Sequence, residues 1–192
     1  NSFLVLARDR TAFALTYGNT VNVFDVFPGS LDNGGETLTL VRPGPTGAES
    51  KVISSVRYDD DPPWPATAAG QGPSLQLVDP ALGSWRLANW HATAVGDPNQ
   101  VTPGRANAVR LNLAAFPTLW INEVLPDGVN GVVDNQGERE PYIEIYNPGP
   151  DAVDLSPYFL TDSYSDLTRW AFPSSLPPLG AGQFLLIWAD GE

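Results

Sequence analysis

The chain has 192 residues, 42% of them hydrophobic and 17% charged, no cysteine, and a formal net charge of −12. This length allows one large β domain or two small ones, and the composition is that of a folded protein rather than a disordered one. The acidic surface repels phosphate backbones, so no nucleic-acid partner is expected. Disulfides are excluded, and no apolar run is long enough to predict membrane insertion.

Short strands separated by turns are predicted along the first half of the chain. The 18 Gly and 19 Pro residues are more than helices tolerate, so the expected fold class is all-β. Strand patterns occur at FLVLARD (3–9), VNVFDVF (21–27), LTLV (38–41), KVISSVRYDD (51–60) and SLQLVD (74–79). DNGG (32–35) predicts a tight turn because its residues tolerate positive φ. Only residues 11–17 are predicted to be helical.

The second half shows the same organisation after a loop at 97–107. Residues 108–117 (AVRLNLAAFP) fit either a strand or a connector. Strand patterns follow at LWINEVLP (119–126), PYIEIY (141–146), YFLTDS (158–163), LTRWAFP (167–173) and QFLLIWAD (183–190). In PYIEIY, Ile143 and Ile145 face one way and Glu144 the other, because side chains alternate along a strand.

Four stretches of the second half occur in an informative order: INEVLPDG, GEREPYIEIYNPGPDAVDLSPYFLTD, LTRWAFP and LGAGQFLLIWAD. They resemble the first half of the lamin tail domain, an immunoglobulin-like β-sandwich. The first hundred residues, from FLVLARDRTAFALTYG to TPGRAN, are similar to its second half. The resemblance implies a C-terminal half at 1–107, a connector at 108–117 and an N-terminal half at 118–192. Bacterial members occur on secreted and surface proteins, so an extracellular or cell-surface location is expected.

The two halves stand in permuted order, and the chain begins and ends on nearly the same strand, FLVLARD and FLLIWAD. Three arrangements fit this order. Each half is completed by a neighbouring unit of an array, or the halves close on each other as a permuted single domain, or the chain is a fragment. Half a sandwich leaves unpaired strand edges, which are templates for strand addition.

The function expected from this organisation is a non-enzymatic structural module that self-associates head-to-tail into a fibre or repeat array. Its partners are then copies of itself or adjacent repeats. The predicted interface residues are Phe3, Leu4, Val5, Leu6, Ile143, Ile145, Phe184, Leu185, Leu186 and Ile187. The alternative is an accessory binding or adhesion module of a larger secreted protein, with calcium, a cell-surface glycan or a protein as its ligand.

Calcium is the one cofactor that the sequence suggests. Asp59, Asp60 and Asp61 precede a Pro-Pro-Trp-Pro segment, and Asp134 and Glu138 lie in NGVVDNQGERE. Hard cations take several oxygen ligands from flexible loops, so both groups are calcium candidates. Neither follows the spacing of an EF-hand, and the three aspartates are expected to form a solvated turn, with calcium as the alternative.

No catalytic motif is found, and enzyme activity is not expected. His91 is the single histidine, and the sequence has no Gly-x-Ser-x-Gly elbow, so a catalytic triad has little to draw on. The six tryptophans are expected to pack in the core, and a sugar-stacking platform is the alternative.

Overall fold

A computed structural model of the chain describes residues 2–189 and 191, so Asp190 of FLLIWAD lies outside the described residues. Strands dominate the regular structure, and the all-β prediction is confirmed. The chain divides into two compact units, Asn1–Leu113 and Ala114–Glu192, which we call unit 1 and unit 2. Residues 108–117 contain neither helix nor strand. The assignment of the units as halves of a sandwich remains a prediction.

Unit 1 begins with two parallel strands joined by a helix. The elements are β1 (Val5–Ala7), α1 (Arg10–Tyr17) and β2 (Val23–Val26). The Asp9 carboxylate accepts a hydrogen bond from the Ala12 N–H at 2.8 Å, which caps the first turn of α1. Gly18 ends the helix at a φ of 81°. The predicted helix is confirmed, and both strands are shorter than their sequence patterns.

A hairpin and a pair of short strands form the rest of unit 1. The strands are β3 (Gly35–Arg42), β4 (Lys51–Asp59), β5 (Gln76–Leu77) and β6 (Trp90–His91), and 3₁₀ helices lie at Gly47–Glu49, Ala66–Ala68 and Leu87–Asn89. β3 pairs with β4 and β5 with β6, both antiparallel. The predicted turn before β3 is present. There the Asp32 carboxylate accepts from the Gly34 N–H, and Gly35 has a φ of 109°, a conformation that favours glycine.

Polar side chains occupy much of the interior of unit 1. Gln76 is buried, and its amide oxygen accepts from the Ala108 N–H at 2.7 Å. Asn89 is fully buried and bonds both the N–H and the carbonyl of Asp79, each at 2.9 Å. Since a buried amide is stable only when it is hydrogen-bonded, these two residues hold the loops of unit 1 by their bonds rather than by apolar contact.

Unit 2 contains a three-stranded antiparallel sheet in the order β11-β8-β7 and a two-stranded pair, β9-β10. The strands are β7 (Trp120–Leu125), β8 (Tyr142–Tyr146), β9 (Phe159–Leu160), β10 (Trp170–Ala171) and β11 (Phe184–Trp188). The register places Ile145 opposite Leu185 and Ile143 opposite Ile187. All five predicted strand regions of this half therefore contain a strand.

The apolar core of unit 2 forms on one side of this sheet. Ile145 on β8 packs with three buried residues of the segment beyond it, Leu155, Phe172 and Leu179. Ile143, Leu185 and Ile187 are among the half-buried residues that pack against this cluster. Burial of such side chains stabilises a fold by about 1.5–3 kcal/mol each.

Asn147, which directly follows β8, is fully buried in unit 2. Its amide nitrogen donates to the carbonyl oxygens of Asp151 and Leu179, and its amide oxygen accepts from the Thr118 hydroxyl and the Gly149 N–H. The side chain thereby ties the sheet to the loops around it.

Candidate interaction surface

The sheet of unit 2 leaves one strand of its core side uncovered. The register places Ile121 of β7 beside Ile145 of β8, and Val124 of β7 beside Ile143. Ile145 is only 5% exposed, yet Ile121 is 62% and Val124 57% exposed. The apolar side of this sheet therefore continues onto β7 while its cover does not. We call Ile121 and Val124 the bare edge.

A β-bulge explains how both residues of the bare edge reach the same side. In a regular strand, residues three apart face opposite ways. The pairing of β7 with β8 shifts between Ile121 and Glu123, so Asn122 is an extra residue on β7. The sequence pattern predicts this strand but does not predict the bare edge. The bare edge shows in the sequence only as two apolar residues three positions apart. Such residues share one side of a strand only where a bulge lies between them.

The opposite side of the same sheet carries aromatic pairs. Phe184 stacks on Tyr146 with ring centroids 4.3 Å apart, and Trp188 meets Tyr142 edge to face at 5.7 Å. Phe184 and Leu186 remain exposed there. Of the predicted interface residues, these two lie on the surface of unit 2, whereas Ile143, Ile145, Leu185 and Ile187 belong to its core. A role for any of them between copies remains a prediction.

Two polar pairs lie beside these aromatic residues. The Tyr142 hydroxyl donates to Glu123 at 2.6 Å, and the Asn122 amide donates to Glu144 at 2.7 Å. The hydrogen bond to Glu123 raises the pKa of Tyr142 above its usual value, because ionisation of the phenol would remove the donor beside a carboxylate. These pairs join β7 to β8 across the exposed side of the sheet.

The predicted interface residues of unit 1 lie on and just before β1. Phe3, Leu4 and Leu6 are exposed, whereas Val5 is half-buried and Ala7 buried. Side chains alternate along a strand, so β1 has one covered side and one apolar side open to water. Among the described residues, β2 is the strand that pairs with β1.

The hairpin β3-β4 is a second exposed apolar surface of unit 1. Its register pairs Leu38 with Val56 and Val41 with Val52. Leu38, Leu40, Val41, Val52 and Ile53 are all exposed. A two-stranded hairpin is marginally stable in water without further packing, and this hairpin presents much of its apolar surface to solvent.

The three adjacent aspartates form a compact acidic turn. Asp59 is half-buried, Asp60 and Asp61 are exposed, and one carboxylate oxygen from each lies within 4.8 Å of the other two. Asp59 accepts a hydrogen bond from the Asp61 N–H at 3.1 Å. This geometry suits the solvated turn that the sequence predicts, and calcium binding remains a prediction.

Asp134 has a local structural role in the second acidic segment. Its carboxylate accepts from the N–H groups of Gln136 and Glu138, and its own N–H donates to the Glu138 carbonyl. Within residues 2–189 and 191, the acidic turn is the only group of three or more potential metal-ligating side chains, and neither Asp134 nor Glu138 belongs to it.

The single histidine and the buried tryptophan take structural positions in unit 1. His91 pairs with Gln76 in the register of β5 and β6. Trp64 is buried, and the Trp90 indole N–H donates to the Ser84 carbonyl at 2.7 Å. Core packing is therefore confirmed for Trp64, whereas Trp90 is half-buried. Core packing is wrong for Trp85, Trp120 and Trp170, which are exposed.

No helix within the described residues combines the length and apolar character that crossing a bilayer requires. Residues 112–192 match the family model of the Lamin Tail Domain. That family has an immunoglobulin-like fold, in agreement with the strands of unit 2, and is generally a non-catalytic module. No curated protein and no solved structure matches the chain. Residues 1–111 lie outside the family match.

Proposed function

With residues 112–192 matching the lamin tail domain, we propose that the chain is a non-enzymatic structural module that self-associates. One copy completes the half-sandwich of the next, head-to-tail, and the product is a fibre or repeat array. We place the module on a bacterial extracellular or surface protein. The family resemblance supports this setting.

The bare edge is the observation that carries the proposal. Ile121 and Val124 continue the apolar side of a sheet whose other strands are covered by the core of unit 2. Soluble monomers rarely leave contiguous apolar surface open to water, and such surface marks interaction sites. A second apolar layer over β7 would complete the sandwich.

The hairpin β3-β4 of a second copy is suited to supply that layer. It is a strand pair with exposed Leu38, Leu40 and Ile53, and it needs packing against another layer to be stable. The contact would join two different surfaces, unit 2 of one copy and unit 1 of the next. Such heterologous contacts build open fibres when the rotation does not close.

The test replaces the bare edge by polar residues in the full chain. Ile121→Ser with Val124→Ser removes the apolar surface that association would bury, so sedimentation velocity is expected to show loss of the assembled species. Because both side chains are already exposed, unfolding of the isolated chain should change by less than about 0.5 kcal/mol per site. Leu15→Ser, which alters an exposed leucine on α1, is the matched control and should assemble normally.

Wild-type assembly that survives the double substitution unchanged would contradict completion at the bare edge. A wild-type chain that stays monomeric at every concentration would contradict self-association itself.

The second candidate is an accessory binding module that holds calcium, and it rests on the closeness of the three carboxylates in the acidic turn. Calcium that binds only the folded state raises the melting temperature by mass action. Under this alternative, added calcium raises the melting temperature of the wild type but not of an Asp60→Asn, Asp61→Asn variant. Equal melting temperatures with calcium and with a chelator would exclude it.

A further inference from the structure

We propose that β1 of one copy takes the place of β11 beside β8 of a second copy. This strand exchange rests on the proposed self-association and specifies its mechanism. The second copy is the occupant because its β8 already binds β11, whose first four residues, Phe-Leu-Leu-Ile, align with the Phe-Leu-Val-Leu of residues 3–6.

The two strands align with an offset of 181 residues. Phe3 then corresponds to Phe184, and Leu4 to Leu185, with aliphatic residues at the next two positions of both strands. Leu4 and Leu6 thus occupy the positions of Leu185 and Ile187, which lie opposite Ile145 and Ile143 on β8.

The covered and exposed sides of the two strands are complementary. On β11, Leu185 and Ile187 pack against the core, while Phe184 and Leu186 are exposed. In unit 1 the residues aligned with Leu185 and Ile187 are exposed instead: Leu4, just before β1, by 62% and Leu6 by 51%. Phe3, which aligns with Phe184, is exposed like its counterpart. The side of β1 that is open to water is therefore the side that β11 buries in unit 2.

The free backbone edge of β1 also corresponds to the edge of β11 that binds β8. Just outside the two ends of β11, the Gln183 carbonyl accepts from the Asn147 N–H, and the Ala189 N–H donates to the Pro141 carbonyl. The backbone N–H and C=O groups of the odd-numbered residues of β11 therefore point toward β8. In β1 the Ala7 carbonyl accepts from the Phe27 N–H, which continues β2. Ala7 corresponds to Trp188, an even-numbered position.

Backbone groups alternate between the two edges of a strand. Groups at the Leu4 and Leu6 positions therefore point away from β2, as those at Leu185 and Ile187 point toward β8. A strand with the sequence of β1 could hold β2 on one edge and β8 on the other without competition. β11 is then a stand-in that an incoming β1 must displace, as in domain swapping.

The experiment joins two full-length chains by a thiol cross-link. The chain has no cysteine, so each introduced thiol is the only one present. Val5 corresponds to Leu186, which lies opposite Glu144. Chains carrying Val5→Cys and chains carrying Glu144→Cys are mixed and treated with a short thiol-to-thiol cross-linker. The matched control is Arg8→Cys with Glu144→Cys, in which the thiols would lie three residues, roughly 10 Å, out of register.

Strand exchange predicts a cross-linked heterodimer from the first mixture and its loss in the control. A second full-length variant, Glu144→Cys with Leu186→Cys, ties β11 to β8 within one chain. Oxidation of this variant should block the association of chains through β1 and β8, and reduction should restore that association.

The two proposals fail in different ways. Wild-type assembly without the Val5–Glu144 cross-link, or assembly that persists in the oxidised locked variant, would overturn strand exchange and leave self-association standing. A wild type that does not assemble at all would overturn both.

Discussion

The interiors of units 1 and 2 are filled by different kinds of side chain. In unit 2, four buried apolar residues form one cluster beside the sheet. In unit 1, the side chains that are most completely buried are the amides of Gln76 and Asn89, and the buried apolar residues include small ones such as Ala7 and Ala92. Because apolar burial is the main source of stability, unit 2 is the better supported unit, and unit 1 depends more on its hydrogen bonds.

The largest expected effect breaks the better supported unit. Phe172→Ala removes the aromatic ring from the apolar cluster and should destabilise unit 2 by about 3–5 kcal/mol. Hydrogen exchange followed by mass spectrometry should show faster exchange in peptides of β8 and β11. Phe159→Ala, at an exposed position on β9, is the control and should leave that exchange near the wild-type rate. Equal protection in both variants would mean that the cluster does not stabilise the sheet.

A smaller effect is expected from the polar interior of unit 1. Asn89→Ala removes the hydrogen bonds to Asp79 and leaves the half-buried N–H of Asp79 without that partner, which costs about 1–3 kcal/mol. Hydrogen exchange should rise around residues 76–91 and remain unchanged in unit 2. Asn33→Ala, in the exposed turn before β3, serves as the control. If Asn89→Ala unfolded as the wild type does, the amide would not be holding the unit together.

The smallest expected change is in the pKa of one tyrosine in each unit. Desolvation, followed by the hydrogen bond to Glu36, raises the pKa of Tyr58 in unit 1 to about 12. In unit 2 the pKa of Tyr142 is raised first by its hydrogen bond to Glu123. Glu36→Gln should lower the pKa of Tyr58 only in part, because burial remains, whereas Glu123→Gln should remove the main cause at Tyr142. Ring NMR signals followed against pH measure both.

The raised pKa of Tyr58 also predicts how the stability of the fold depends on pH. The folded-state pKa of Tyr58 lies above its ordinary value of 10.0, so the neutral phenol is favoured in the fold. Its stabilising contribution is complete below about pH 10 and is lost as the pH rises toward 12. The free energy of unfolding of the wild type is measured from pH 10 to 12 relative to that of Tyr58→Phe. A difference between the two that does not change with pH would contradict the raised pKa of Tyr58.

The fold class and the strand positions could be read from the sequence because they depend on local patterns. Alternation placed Ile143 and Ile145 together on one side, and Asp9 before an apolar run is a typical helix cap. FLVLARD and FLLIWAD both form strands, as their shared residues predict. Which side of each strand is covered was not predictable, because it depends on segments that are distant in the chain.

Neither the bare edge nor the hydrogen bonds of the buried Asn147 can be predicted from the sequence, because both depend on the geometry of other segments. Ile121 and Val124 share a side only because Asn122 is bulged. Asn147 follows a strand and precedes Pro-Gly, a pattern that predicts a turn and says nothing about four backbone and side-chain partners gathered from separate loops.

The central claim is that this chain carries two incomplete β units that a second copy completes. Light scattering of the full-length chain over a concentration series tests it most directly. The account predicts a mass that rises above 20.6 kDa with concentration, with filaments visible by negative-stain electron microscopy at the upper end. A mass that stays at 20.6 kDa throughout the series would contradict it.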